Sequence, residues 1–202
     1  MRGIRRKYYS INSYIKLNYI YNNSCKAYIE TDLYITDNTR IELRARIPPF
    51  TDDEISKDIF FAIGFTQSSD ANRVVIGRTQ LRVKGQIYAW FPKINFSVSD
   101  NYEDKEALFV FDVQKNIIGY NHESKSYGIV VGGKIVIGKV WNISSLKASD
   151  RSYYYGLKVW NGSKLVGDFI PVRHPINGKI GMLDTVKNKF YTSPNGAEFT
   201  GG

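Results

Sequence analysis

Apolar and polar residues alternate with period two along this chain, and that pattern constrains the fold more than any other feature. In "TRIELRARI", Thr39, Ile41, Leu43, Ala45 and Ile47 take one face while Arg40, Glu42, Arg44 and Arg46 take the other. Successive side chains of a strand point to opposite faces. The run therefore predicts a strand with one buried and one wet face, stopped by Pro48 and Pro49. "ALFVFDV" groups Ala107, Phe109, Phe111 and Val113, and "TQLRVK" sets Leu81 and Val83 against Arg82 and Lys84. "YIKLNYIY" reads the same way, with Ile15, Leu17, Tyr19 and Tyr21 opposite Lys16 and Asn18.

Turn signals separate these runs: Asn22-Asn23, Asp37-Asn38, Lys115-Asn116, Gly132-Gly133, Asn161-Gly162, Asn177-Gly178 and Asn195-Gly196. Asn-Gly and Gly-Gly favour tight hairpins because both central residues of such turns need positive φ. Only "TDDEISKD" and "ISSLKASD" hold a helical period, for a turn or two each. The spacing of the runs varies, which excludes a solenoid, and no linker divides the chain. The pattern predicts one antiparallel β-sandwich over residues 13–202, preceded by a basic arm over residues 1–12. A hydrophobic content of 43% in 202 residues is enough for a real core, and 14% aromatic residues suit half-exposed pleated surfaces.

The formal net charge of +9 points to acidic partners in general, although for most of the chain it reads as ordinary solubility charge. The exception is "MRGIRRKYYS", where Arg2, Arg5, Arg6 and Lys7 run without an acid and Tyr8 and Tyr9 follow as apolar anchors. This arm is expected to bind a partner protein. Cys25 is alone, so no internal disulfide forms. No apolar leader and no run of roughly 18 apolar residues is present, so neither export by a signal peptide nor a membrane partner is expected.

Chemistry finds little purchase. His174, in "VRHPINGK", precedes Pro175 and reads as a turn-flanking residue, and His122 sits in a polar loop. A nucleophile triad would need a serine or cysteine elbow that is missing. Two histidines and one cysteine cannot make a usual transition-metal site. Asp52-Asp53-Glu54 and the run holding Asp100, Glu103, Asp104 and Glu106 lack the glycine and alternating oxygens of a calcium loop. A sandwich glycosidase needs paired carboxylates, but Glu42 is the only acid of its strand and Asp112 stands alone. No enzyme activity, cofactor or metal is therefore expected. Exposed aromatics remain, in Tyr88, Trp90, Phe91 and Phe96 and in Tyr153, Tyr154, Tyr155 and Trp160. Outward tyrosine and tryptophan fit a sugar platform or a protein interface. By period two, Tyr153, Tyr155, Leu157 and Val159 share one face and read as core with a cross-strand aromatic ladder.

The closing stretch "GLKVWNGSKLVGDFIPVRHPINGKIGMLDTVKNKFYTSPNGAEFTGG" resembles the carboxyl-terminal signature of concanavalin-like (laminin-G-like) jelly-roll domains in virion structural proteins of gut bacteriophages. Leu157, Val159, Trp160, Leu165, Val166, Asp168, Phe169, Pro171, Arg173, Gly178, Gly181, Met182, Asp184, Phe190, Tyr191 and Phe199 carry the match. "CKAYIETDLYITDNTRIELRARI" resembles the opening strands of such domains. Gly167 and Leu183 depart from the pattern, and residues 1–18 fall outside it.

The resemblance implies an all-β, antiparallel jelly-roll sandwich, with Asp168 and Arg173 as a structural pair holding the terminal hairpins. It implies a virion location as an auxiliary or decoration capsid protein, bound to the major capsid protein or to fibre proteins. The alternative is a glycan-binding adhesion module of a head or tail fibre, with a host surface glycan as partner. A nucleic-acid partner is disfavoured, because the charge is spread and no basic-aromatic groove is evident.

Overall fold

The computed structural model describes residues 10–22, 26–46, 48, 105–115, 117, 133–138 and 152–202. It adds the backbone alone at 63–65, 75–77, 88–91, 94–97, 118–120 and 123–126. A 3-10 turn (Ile11–Ser13) precedes β1 (Ile15–Lys16), β2 (Ile20–Tyr21), β3 (Ile29–Tyr34) and β4 (Thr39–Arg46). Then come β5 (Ile63–Phe65), β6 (Val75–Gly77), β7 (Tyr88–Phe91), β8 (Ile94–Ser97), β9 (Glu106–Asp112) and β10 (Ile117–Tyr120). They are followed by β11 (Glu123–Ser126), β12 (Lys134–Ile137), β13 (Tyr153–Asn161) and β14 (Lys164–Arg173). The chain closes with β15 (Ile180–Asp184), β16 (Lys189–Tyr191) and β17 (Thr200–Gly201).

Among the described residues all strand pairing is antiparallel. The main sheet runs β11-β10-β9-β4-β13-β14-β15-β16, with β1 beside β14 and β2 between β13 and β17. β3-β12-β5 and β6-β7-β8 form two smaller sheets. The alternation in β4 and β9 is realised as expected. Ile41 stands opposite Phe111, Leu43 opposite Phe109 and Ala45 opposite Ala107, and all six are buried. A one-residue slip would drive Arg40, Arg44 and Arg46 into this core, so the register is strongly fixed. Ile29, Leu33 and Ile35 with Ile135 and Ile137 cover the face from the β3–β12 layer. Each fully buried aliphatic or aromatic side chain contributes about 1.5–3 kcal/mol. The Asn-Gly sites do form turns, but only their glycines take positive φ, with Gly162, Gly178 and Gly196 at 59°, 68° and 80°. Asn161, Asn177 and Asn195 do not, so these are not the tight turns with both central residues at positive φ.

Three expectations require correction. First, Tyr153, Tyr155, Leu157 and Val159 do not share a face. Pairing with β4 passes from Tyr154↔Ala45 to Gly156↔Arg44, a bulge that leaves Tyr155 as the extra residue. Tyr154 is therefore buried with Leu157 and Val159, and Tyr153 and Tyr155 stand half-buried on the outer face. Second, "YIKLNYIY" is two short strands. Leu17 N–H donates to the Pro171 carbonyl, and Asn18 and Tyr19 N–H both donate to the Gly202 carbonyl. The alternation breaks there, so Ile20 is buried and Ile15 is 56% exposed.

Third, among the described residues no ion pair joins Asp168 to Arg173. The tie between the terminal hairpins is Asp184, which is fully buried. Its Oδ1 accepts the N–H groups of Asp168 at 3.1 Å, Val186 at 3.0 Å and Lys187 at 3.4 Å. Thr185 N–H donates in return to the Asp168 carbonyl at 2.7 Å. At the opposite layer, Asp32 of β3 accepts from Tyr191 Oη at 2.5 Å, Lys187 Nζ at 2.9 Å and Lys189 Nζ at 3.1 Å. That cluster joins the two layers at their edge.

Candidate functional site on the outer face of the main sheet

The face of β4, β9, β13 and β14 that points away from the core carries the charged and aromatic side chains in cross-strand rows. Asp112, Arg40, Trp160 and Leu165 follow one another across β9, β4, β13 and β14. The next row holds Val110, Glu42, Lys158 and Asp168, and the one after it Leu108, Arg44 and Gly156. A fourth holds Glu106, Arg46, Tyr153 and Tyr21. Opposed residues of adjacent strands lie close enough to interact, so each row is a line of contact.

A groove of about 280 Å³ opens on this face, with Tyr155 forming a wall and Glu42, Arg44, Lys158, Asp168 and Ile170 around it. Glu42 is held by Arg40, whose Nε and Nη2 lie 3.1 and 2.5 Å from Oε1. Arg40 Nη1 also reaches Asp112 Oδ2 at 3.3 Å, so one guanidinium bridges two carboxylates from neighbouring strands. These charges raise the Arg40 pKa, with the Glu42 hydrogen bond as the largest cause, partly opposed by burial. Arg44 pairs with Glu106. Among the described residues, the Lys158 ammonium and the Asp168 carboxylate make no hydrogen bond or ion pair, which leaves a donor and an acceptor facing the groove.

Tyr155 is held in place by its neighbours. Tyr19 meets Tyr155 edge-on at 6.1 Å and Tyr153 at 5.1 Å, and Tyr21 stacks on Tyr153 at 4.3 Å. The Arg46 guanidinium lies 3.9 Å from the Tyr153 ring centroid. Burial raises the Tyr155 phenol pKa, so the ring is a neutral platform with an intact hydroxyl donor. The cluster depends on the bulge and on the break in "YIKLNYIY", which turn Tyr153, Tyr155, Tyr19 and Tyr21 to the same side.

Other candidate residues are distributed as follows. The arm residues Arg2, Arg5, Arg6, Lys7, Tyr8 and Tyr9 lie outside the described residues, as do Cys25, His122, Asp52, Asp53, Glu54, Asp100, Glu103 and Asp104. So do the side chains of Tyr88, Trp90, Phe91 and Phe96. His174 flanks a turn as expected. Its Nδ1 accepts the Ile176 N–H at 3.3 Å, and its ring packs edge-on between Tyr14 at 5.5 Å and Phe190 at 5.3 Å. Glu42 of β4 and Asp112 of β9 are brought together across strands by Arg40. Inspection of single strands could not see this. Lys158 and Asp168 were likewise missed as groove residues, because only the β13–β14 register sets them opposite each other.

No protein-family model matches the chain, and no curated protein sequence does. Among solved structures, the fold is similar to that of a candidate carbohydrate-binding protein from Bacteroides ovatus, with a TM-score of 0.55 and 11% identity. The match covers 93% of this chain and 60% of that structure, so the chain spans less than two thirds of its neighbour's length. The likeness establishes an all-β sandwich of shared architecture.

Proposed function

We propose that this protein is a glycan-binding module and that the outer-face groove beside Tyr155 receives the sugar. The observation that carries this reading is the placement of a tyrosine ring, held by its neighbours, next to a carboxylate and an ammonium that have no partner among the described residues, all on one sheet. A pyranose has an apolar C–H face that packs on an aromatic ring and equatorial hydroxyls that need both donors and acceptors. Tyr155 serves the first, and Asp168, Lys158 and the edge of Glu42 serve the second. The structural likeness to a candidate carbohydrate-binding protein supports the same reading. On this reading the module binds without cleaving, because both Glu42 and Asp112 are bonded to the Arg40 guanidinium.

The resemblance of the closing segment to phage virion domains supports a setting on a particle. There the module would act as a decoration or fibre protein, anchored to an acidic capsid or fibre neighbour by Arg2, Arg5, Arg6, Lys7, Tyr8 and Tyr9. A glycan array of bacterial surface polysaccharides, probed with the purified chain, tests the binding reading. Capture by at least one neutral oligosaccharide is expected, and a blank array contradicts it. Copy-number mass spectrometry of purified particles tests the setting.

A further inference from the structure

The terminal turns enclose a second depression, separate from the outer-face groove. It measures about 330 Å³ and lies between the turn joining β14 to β15 and the segment joining β16 to β17. Arg173, Lys179 and Glu198 supply its charges and Asn177 a side-chain amide. Among the described residues, none of the three charged side chains makes a hydrogen bond or ion pair. Arg173, expected to pair with Asp168, faces this cleft instead. Ile180 and Ala197 line it while packing against the core, and Phe199 lies beneath, only 4% exposed.

The walls are preformed. His174 N–H donates to the Lys179 carbonyl at 2.8 Å and Gly178 N–H to the His174 carbonyl at 3.1 Å, which closes the first turn. Asn177 Oδ1 accepts the Lys179 N–H at 3.0 Å. On the other side, Asn195 Oδ1 accepts the Ala197 N–H at 3.0 Å and the Ser193 hydroxyl at 2.6 Å. The closed turns fix the backbone of both walls, so binding has side-chain freedom but little backbone freedom to remove.

We propose that this cleft is a second binding site, for a sugar unit that carries a carboxylate, such as a uronic acid. Arg173 and Lys179 would hold the carboxylate, Arg173 through two parallel N–H donors. Glu198 accepts from ring hydroxyls, the Asn177 amide donates to one, and Ile180 with Ala197 packs against the C–H face. Two cations against one carboxylate leave a single net positive charge, which a monoanion matches. A phosphate dianion would exceed that net charge. The volume lies at the small end of the usual range for ligand pockets, about 300–1,000 Å³, and suits a mono- or disaccharide.

This site stands apart from the groove at Tyr155, and its test separates the two. Titration calorimetry of the full chain with methyl glucuronoside, methyl glucoside and inorganic phosphate is the direct experiment. The glucuronoside is expected to bind at least about tenfold more tightly than the glucoside, a difference typical of one charge-assisted contact. Arg173→Gln and Lys179→Ala should each remove about that factor, with Lys179, exposed in a turn, safe for folding. Equal binding of the two glycosides, no binding of either, phosphate binding as tight as glucuronoside, or indifference to Lys179→Ala in a protein of unchanged melting temperature would each overturn the proposal.

Discussion

The Tyr21 and Tyr153 rings stack with centroids 4.3 Å apart and planes 19° from parallel, at directly opposed positions of β2 and β13. With Tyr19 edge-on at 5.1 Å and Arg46 at 3.9 Å from the same ring, Tyr153 is the hub of the outer-face cluster. Tyr153→Ala removes all three contacts and should cost about 1–3 kcal/mol, since aromatic pairs and a close cation each contribute about 0.5–1.5 kcal/mol. Tyr153→Phe keeps the ring and should cost under about 0.5 kcal/mol. Urea unfolding checks both, through a lowered midpoint at constant slope for the alanine variant alone.

Asp32 couples stability to pH. Burial alone would raise its pKa, but the donated hydrogen bonds from Tyr191, Lys187 and Lys189 outweigh burial and hold it well below the usual carboxylate range. The folded protein thus binds this proton more weakly than the unfolded chain, whose aspartates titrate near 3.9. The contribution is fully present above about pH 5 and is lost progressively as pH falls toward the depressed folded value. Solvent screening at a half-exposed side chain limits it to about 1 kcal/mol. Melting temperatures between about pH 7 and pH 2 should fall less steeply for Asp32→Asn than for the native protein, starting from a lower value at neutral pH. Parallel curves would show that Asp32 plays no part.

Much of this architecture is legible in the sequence, and what is not has identifiable causes. β4 and β9 follow from alternation because they pair in register over their whole length and bury one face only. The positions of the Asn-Gly turns follow from their glycines, which alone take positive φ there, while the expected turn type does not. The orientation of Tyr153 and Tyr155 does not, because a bulge at Tyr155 inverts the phase, and no residue there signals it. The break at Leu17–Tyr19 depends on carbonyls of Pro171 and Gly202, distant in sequence. The groove depends on the register of three strands, which is a tertiary fact. The role of Asp184 was visible only as a matched residue in the closing segment, without its mechanism.

Glycines in the terminal hairpins should differ sharply in tolerance. A Cβ at Gly181 would lie 2.1 Å from the Tyr191 carbonyl oxygen, so Gly181→Ala forces β15 and β16 apart. A loss of about 3 kcal/mol or more is expected. Gly162, at φ of 59° with open space around it, should cost only about 1 kcal/mol when changed to alanine. Thermal unfolding of the pair ranks them, and equal losses would contradict the packing at Gly181.

Glu42 and Asp112 should support no hydrolysis. Purified protein is expected to leave polysaccharides intact with or without calcium, as followed by reducing-end release. Cleavage abolished by Glu42→Gln or Asp112→Asn would assign the pair a catalytic role and contradict the binding-only account.

The affinity of the chain for its best array glycan, measured by calorimetry in Tyr155→Ala and Asp168→Asn alongside the native protein, tests the central claim most directly. Both variants should keep the native melting transition within a few degrees and lose about tenfold or more in affinity, the scale of one lost stacking or hydrogen-bonding contact in a desolvated groove. Unchanged affinity in both variants would place the glycan elsewhere and contradict the assignment of this face.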